Sequence, residues 1–175
     1  MIGLRMPSPI GHALGGLAAA WTADLVDGRR DDRWRPLLLY MALAAAPDLD
    51  LVVPGGHRMA THSLFAMLLV FIIAAAVTAQ VTRWRDAVVC AAAYGSHLLL
   101  DWLGADNLPP RGIQLLWPVS DRWFISDLDL FRQTARQHFL APAVMLQNAI
   151  AVAQEVAIMA PIVALLWWAR QRRRR

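Results

Sequence analysis

The sequence contains no lysine and only one cysteine, and both absences limit what the protein can be. All 17 basic residues are arginine, and the single thiol, Cys90, lies inside an apolar run. One cysteine can form neither a disulfide framework nor the thiolate cluster of a structural zinc site. Any metal site must therefore use nitrogen and oxygen ligands.

Several common functional motifs are missing as well. The chain has no P-loop, no dinucleotide fingerprint, no zinc-finger spacing and no G-x-S-x-G turn. The arginine run from Arg172 to Arg175 directly follows an apolar segment, and we interpret it as a cytoplasmic topology signal. Contact with anionic lipid or nucleic acid is the less favoured interpretation of that run. We expect no nucleic-acid partner.

Long apolar runs dominate the sequence. Apolar residues make up 58% of its 175 positions, in continuous stretches of bilayer-spanning length. This pattern predicts one all-α integral membrane domain, a bundle of four to five transmembrane helices in contact with membrane lipids. The predicted helices cover residues 9–26, 36–53, 63–82, 87–103 and 140–168, with an irregular outer loop over 104–139 and a basic tail over 169–175.

The first segment is open to two interpretations. It resembles the front of a secretory signal peptide, although Pro7, Pro9 and His12 fit that pattern poorly. Read as a helix that begins near Pro9, it carries small residues at four-residue spacing, which lets a neighbouring helix approach closely. These small residues are Gly11, Gly15 and Ala19.

The arginine distribution predicts the orientation. If all five segments span and the C-terminus is cytoplasmic, eleven arginines lie on the inner side and six on the outer side. The positive-inside rule favours this multi-pass arrangement. The inner set is Arg29, Arg30, Arg33, Arg35, Arg83, Arg85, Arg170 and Arg172 to Arg175; the outer set is Arg5, Arg58, Arg111, Arg122, Arg132 and Arg136.

Histidines and aspartates collect at the outer, periplasmic level of this topology. The stretch 47–63 reads P-D-L-D-L-V-V-P-G-G-H-R-M-A-T-H-S, and its first proline loosens the helix so that two nearby carboxylates can converge. His97 and Asp101 are four residues apart, so they share one helix face. The residues that meet at this level are His12, Asp48, Asp50, His57, His62, His97 and Asp101.

A metal site is the interpretation we favour for this group. An ionised side chain in a membrane costs about 2.5–3.5 kcal/mol unless it is paired or bound to metal. Ligands with nitrogen and oxygen favour zinc, with manganese or iron as alternatives. Open coordination positions are typical of hydrolysis by a metal-activated water, with a surplus carboxylate as base. Arg58 could clamp a substrate oxygen, or it could be a headgroup-facing surface arginine.

Other features leave alternatives open. The polar stripe of the last helix predicts helix-to-helix hydrogen bonds, with support of the site by Glu155 as the alternative. We interpret residues 126–130, which include Asp127 and Asp129, as a surface loop, together with the later His138. The alternative is that these residues bind a second metal ion. The competing function is a non-enzymatic membrane protein that binds and passes a metal ion or a proton. The stripe consists of Gln147, Asn148, Gln154 and Glu155.

The motifs together resemble a known family. Pro9 and His12 near the start, P-D-x-D, H-R-x-x-T-H-S, H-x-x-x-D and L-L-W-P-x-S occur in this order over residues 7–125. This combination resembles the YdjM-like inner-membrane proteins, described as LexA-regulated metal-dependent hydrolases. The resemblance implies a bacterial inner-membrane protein with metal-dependent hydrolase activity. It does not identify the substrate, for which we expect a small molecule or a lipid.

The order of the candidate ligands is also distantly similar to that of the all-helical zinc-dependent phospholipase C proteins. That similarity implies a phosphoester or lipid-derived substrate. No H-x-x-x-E motif follows Asp101, which favours one or two ions over a three-metal cluster. The metal ligands implied are His12, Asp48, His62, His97 and Asp101, and we assign catalytic roles to Asp50, His57 and Arg58.

Overall fold

Five α-helices make up the fold of this computed structural model, which describes residues 5–28, 34–52, 57–78, 84–135 and 138–173. Two short 3₁₀ segments, Ala46–Val52 and Ala60–His62, connect α2 to α3. Strands β1 (Arg5–Met6) and β2 (Thr134–Ala135) form an antiparallel pair. The all-α prediction is confirmed. The helices are α1 Pro9–Asp27, α2 Trp34–Ala45, α3 Leu64–Thr78, α4 Trp84–Leu103 and α5 Pro142–Arg172.

Some sequence predictions concern residues outside the described ranges. They include the predicted helix ends at residues 53 and 82 and the Pro-Gly-Gly part of the stretch at 53–56. Seven arginines of the topology count also lie there: Arg29, Arg30, Arg33, Arg83, Arg136, Arg174 and Arg175.

The helix boundaries follow local chemistry. Helix α1 begins at Pro9, as predicted, and the Ser8 hydroxyl caps it by accepting from the Gly11 amide. The predicted second helix is α-helical only to Ala45 and continues as a 3₁₀ segment. Pro47, which has no amide hydrogen, accounts for this change. Helix α5 extends to Arg172, so most of the predicted basic tail is helical.

One described helix, α5, is long and apolar enough to cross a bilayer. The apolar stretch of α3, Leu64–Val77, is shorter. Both helices expose large aliphatic side chains; Ile72 on α3 is 52% exposed and Leu165 on α5 is 62% exposed. Apolar surface of this extent is typical of contact with a membrane or a partner. The number of spans stays a prediction.

Helix α1 packs against α2, α4 and α5, and its glycines allow the close approach. A Cβ at Gly11 would lie 2.7 Å from a carboxylate oxygen of Glu155 on α5, and a Cβ at Gly15 would lie 3.0 Å from Ser96 Oγ on α4. These two positions confirm the predicted small-residue stripe. Gly16, outside that stripe, faces α2.

The bundle has two polar ends and an apolar middle. At one end, Asp24 on α1 forms ion pairs with Arg85 on α4 and Arg170 on α5. His12 lies twelve residues earlier on α1, or about 18 Å along the helix axis. A buried apolar cluster occupies the middle, formed by Ala20, Tyr40, Val89, Cys90 and Ala93.

We predict that Gly16→Ala destabilises the protein by about 1–3 kcal/mol. The new Cβ would lie 2.4 Å from the Tyr40 carbonyl oxygen, and a backbone atom cannot move aside without separating α1 from α2. Thermal unfolding in detergent, followed by circular dichroism, measures the change.

Gly95→Ala is the matched control for Gly16→Ala. Among the described residues, its Cβ would meet the Met67 side chain, with the sulfur at 2.8 Å, and that flexible side chain can rotate away. An equal loss of stability in both variants would contradict the role given to the α1–α2 contact.

Candidate metal centre

Four separate segments bring the five predicted metal ligands together at one end of the bundle. Helix α1 supplies a histidine, the 3₁₀ segment after α2 an aspartate, the segment before α3 a histidine, and α4 a histidine and an aspartate. All three histidines are 0% exposed, and both aspartates are buried. Overlapping groups of these residues could hold a metal ion. The five are His12, Asp48, His62, His97 and Asp101.

The distances within this cluster are those expected around a shared ion. The Nε2 atom of His62 lies 3.0 Å from His97 Nε2, 3.3 Å from Asp101 Oδ2 and 3.8 Å from Asp48 Oδ1. Asp101 Oδ1 lies 3.4 Å from His12 Nε2. A tetrahedral zinc ion with bonds of about 2.0–2.1 Å separates its ligand atoms by about 3.4 Å. The side chains therefore fit a small cation between them.

Unsatisfied polar atoms in the cluster support the same conclusion. Among the described residues, neither ring nitrogen of His12 and neither carboxylate oxygen of Asp101 has a hydrogen-bond partner. Buried polar groups are normally hydrogen-bonded, and leaving one unpaired costs about 1–3 kcal/mol. A metal ion would satisfy these atoms, so the residues present fit one.

The end of α2 orients His97. Its Nδ1 lies 2.7 Å from the carbonyl oxygen of Ala44, one of the last carbonyls of an α-helix, which lack intrahelical donors. A carbonyl oxygen only accepts, so Nδ1 carries the proton and Nε2 is left as a ligand atom. The ring of His12 stacks on that of His97, with centroids 3.7 Å apart.

The 3₁₀ segment places its two carboxylates on different sides of His62. Asp48 lies near Nε2, and Asp50 Oδ2 lies 3.1 Å from Nδ1. Asp50 also accepts from the Thr61 hydroxyl and the Arg58 amide. The predicted convergence of the two carboxylates is confirmed, and Asp50 has the position of a residue that orients a metal-binding histidine.

The pKa values in this connecting region follow from the same contacts. Burial lowers the pKa of His62, but the adjacent carboxylates of Asp101, Asp48 and Asp50 outweigh burial and raise the pKa to about 10. Burial raises the pKa of Asp50, yet hydrogen bonds with His57 and His62 place it below its usual value. The side chains around His62 therefore favour positive charge at this point.

The other predicted catalytic residues lie beside the cluster. His57 Nδ1 is 2.6 Å from Asp50 Oδ1, and His57 joins Asp48 and His62 in a further group that could hold a metal. The Arg58 side chain has a different partner: its guanidinium forms a buried ion pair with Asp106. Its role as a substrate clamp stays a prediction.

Asp106 is a structural residue that sequence reasoning missed. Besides the Arg58 guanidinium, it accepts from the Gly112 amide at 2.7 Å and the Leu108 amide at 3.2 Å. The Gln114 amide in turn donates to the Arg58 carbonyl oxygen. This ion pair joins the outer loop to the segment that carries His57 and His62. Asp106 is 48 residues from Arg58, and no local motif indicates the pairing.

The polar stripe of α5 anchors chain segments at the same end. Glu155 is fully buried and accepts from the Ser8 amide at 2.7 Å and from the Ser8 hydroxyl. Asn148 accepts from and donates to the backbone of Ala135, and Gln154 accepts from the Arg132 amide. These hydrogen bonds join α5 to the residue before α1 and to the chain that leads into β2, whereas the sequence pattern predicts hydrogen bonds between helices. Glu155 holds the start of the helix that carries His12.

The repeated Asp-Leu-Asp-Leu segment is at the surface. Asp127 and Asp129 are exposed, and Asp127 pairs with the exposed Arg111. His138 is also exposed. None of the three belongs to a potential metal-binding group among the described residues. The surface-loop interpretation agrees with these positions.

The fold and this cluster together define an all-helical protein with one described helix that can cross a bilayer and a buried histidine and aspartate centre that could hold a metal ion. A comparison with family models identifies the family: the model of the YdjM inner membrane protein family matches residues 6–173. The chain belongs to that family, and the resemblance noted in its motifs is confirmed. Searches of curated proteins and of solved structures found no match.

We predict that Asp50→Asn weakens zinc binding by about 10- to 100-fold. His57 faces Oδ1 of Asp50 and His62 faces Oδ2, and asparagine replaces one of these two acceptor oxygens by an NH₂ donor. Competition with a zinc-chelating dye in detergent solution measures the affinity. Asp121→Asn, in the exposed part of the outer loop, is the control, and equal affinities in the two variants would refute the orienting role.

We also predict that Asp106→Ala destabilises the protein by about 3–5 kcal/mol, because it leaves the buried Arg58 guanidinium without its carboxylate. Asp127→Ala breaks the exposed pair with Arg111, which should cost at most about 1 kcal/mol. Thermal unfolding of the two variants provides the comparison. Similar shifts in melting temperature would show that the Asp106 pair contributes no more than a surface pair.

Proposed function

We propose that this protein is a membrane-bound metal-dependent hydrolase that acts on a phosphoester or lipid-derived substrate. The observation that carries the proposal is the convergence of five buried candidate ligands from four segments. Within the described ranges, both nitrogens of His12 and both oxygens of Asp101 have no hydrogen-bond partner. A purely structural cluster would be expected to satisfy these atoms with protein hydrogen bonds.

The proposed topology is multi-pass, in the bacterial inner membrane. Helices α1 and α4 contain 19 and 20 residues, or about 28 and 30 Å, close to the thickness of the hydrocarbon core. The end with the Asp24 ion pairs carries Arg85 and Arg170, which suits the cytoplasmic side. The metal centre then faces the periplasm, and the C-terminus is cytoplasmic.

The residues of the centre have separable roles in this proposal. Zinc is the favoured ion, and when bound it supplies Lewis-acid chemistry that lowers the pKa of water towards 7. His12, Asp48, His62, His97 and Asp101 hold it, and Asp50 keeps His62 in the tautomer that presents Nε2. His57 is partly buried and contacts Asp50, which supports the role proposed for it, the exchange of a proton with the substrate.

Passage of an ion or proton is the competing function, and the middle of the bundle argues against it. Residues 13–23 of α1, 87–96 of α4 and 156–169 of α5 include no histidine, aspartate, glutamate or arginine. Transport pathways through membranes are normally marked by such residues. The apolar cluster around Cys90 therefore separates the metal centre from the opposite face.

Metal content tests the proposal directly. Protein purified in detergent without chelators is analysed by plasma mass spectrometry, beside His97→Ala, Asp101→Ala and the exposed control Asp129→Ala. We expect one or two zinc ions per chain in the wild type and in the control, and loss of metal in both cluster variants while circular dichroism shows retained helix.

Two results would count against the hydrolase. Absence of metal from the wild type, with cluster variants indistinguishable from it, would remove the metal centre. Bound metal without hydrolysis of chromogenic phosphoesters or lipid substrates, but with metal uptake into proteoliposomes, would favour the transport function.

A further inference from the structure

A second polar feature lies in a cleft between the N-terminal part of α5, the segment after α4 and the residues that lead into β2. The cleft has a volume of about 500 Å³. Its polar lining includes Asn107, Arg132, Gln133 and Gln147, and its apolar lining includes Leu146 and Ile150. None of these residues belongs to the metal centre, so the cleft is a separate candidate site.

The charge of the cleft is positive. Arg132 is the one charged side chain among the described residues that line it. In the part of the chain that the structure describes, its guanidinium forms no ion pair with a carboxylate. Its backbone is held by Gln154, whose side chain accepts from the Arg132 amide and donates to the Leu130 carbonyl oxygen. An exposed cation on an anchored backbone is available for an anionic ligand.

Gln133 supplies the second, independent observation. The residue is 7% exposed, and its amide nitrogen Nε2 has no hydrogen-bond partner among the described residues. A buried N–H donor without an acceptor is unfavourable. An acceptor oxygen of a ligand in the cleft would satisfy it, while the Arg132 guanidinium binds a second oxygen of the same group.

The apolar side of the cleft determines what else the ligand carries. Leu146 and Ile150, 63% and 46% exposed, lie in the first turns of α5, the described helix that can cross a bilayer. They continue from the polar lining onto the outer surface of that helix. A ligand that fills both parts has an anionic group with several acceptor oxygens and an alkyl chain.

We propose that this cleft binds the phosphate headgroup of an anionic membrane lipid. Arg132 and Gln133 contact the phosphate oxygens, Asn107 and Gln147 border the headgroup, and an alkyl chain lies along Leu146 and Ile150. The lipid would join the outer loop to α5 where the stripe residues Asn148 and Gln154 already connect them. The site neither uses the metal centre nor depends on the hydrolase proposal.

Lipid binding to delipidated protein, measured by native mass spectrometry in detergent, tests the proposal. Phosphatidylglycerol and phosphatidylcholine are titrated separately. We expect the wild type to prefer phosphatidylglycerol by roughly tenfold, and Arg132→Gln to lose that preference, because one charge-assisted contact has a strength of this order. Gln133→Glu, which keeps the size of the side chain but adds a negative charge, should lose it as well.

Arg122→Gln is the matched control, because Arg122 is another exposed arginine of the outer loop outside the cleft. It should bind phosphatidylglycerol like the wild type. Equal binding of the two lipids by the wild type, or an unchanged preference in both cleft variants, would overturn the proposal. Competition by inorganic phosphate distinguishes a site for a lipid headgroup from a site for free phosphate. Displacement of the lipid by inorganic phosphate at equal concentration would show a free-phosphate site and would also overturn the lipid proposal. No metal is needed, so a negative result leaves the hydrolase proposal unaffected.

Discussion

Two aspartates and three histidines are buried against one another at one end of the bundle, and the rest of the structure depends on making that burial stable. Isolated charges in such a place are costly, and a buried group that loses its partner is strongly destabilising. In the part of the chain that the structure describes, His12 and Asp101 have buried polar atoms without hydrogen-bond partners, so the described protein contacts leave this burial cost uncompensated. A bound cation would compensate for it, which is the physical basis for interpreting the cluster as a metal centre.

Contacts from neighbouring residues position the three histidines of the cluster. The Ala44 carbonyl orients His97, Asp50 orients His62, and Glu155 anchors the start of the helix that carries His12. The Tyr94 hydroxyl donates to the Thr61 carbonyl oxygen at 2.6 Å, which attaches the connecting segment to α4. Outer contacts of this kind tune the affinity of metal sites nearly as much as the ligands do.

The distribution of polarity along the bundle connects this site to a membrane function. A histidine and aspartate cluster at one end, an apolar layer in the middle and arginine–aspartate pairs at the other end favour the proposed chemistry at one face over passage between faces. The exposed aliphatic surfaces of α3 and α5 suit a lipid surrounding. The cleft beside α5, with its cation and buried amide donor, suits an anionic headgroup at the same end as the metal centre.

The sequence by itself determined the helical class, the family, the interruption of the second helix at Pro47 and the identity of the five residues that cluster at one end. Periodicity, proline chemistry and the rarity of ionisable residues in apolar segments are local signals, so they can be read without coordinates. Only the tertiary structure decided that Asp50 supports His62, that Arg58 pairs with Asp106 and that Gln133 is buried beside Arg132. Those relations join residues through the packing of separate segments, and no local pattern encodes which atoms then meet.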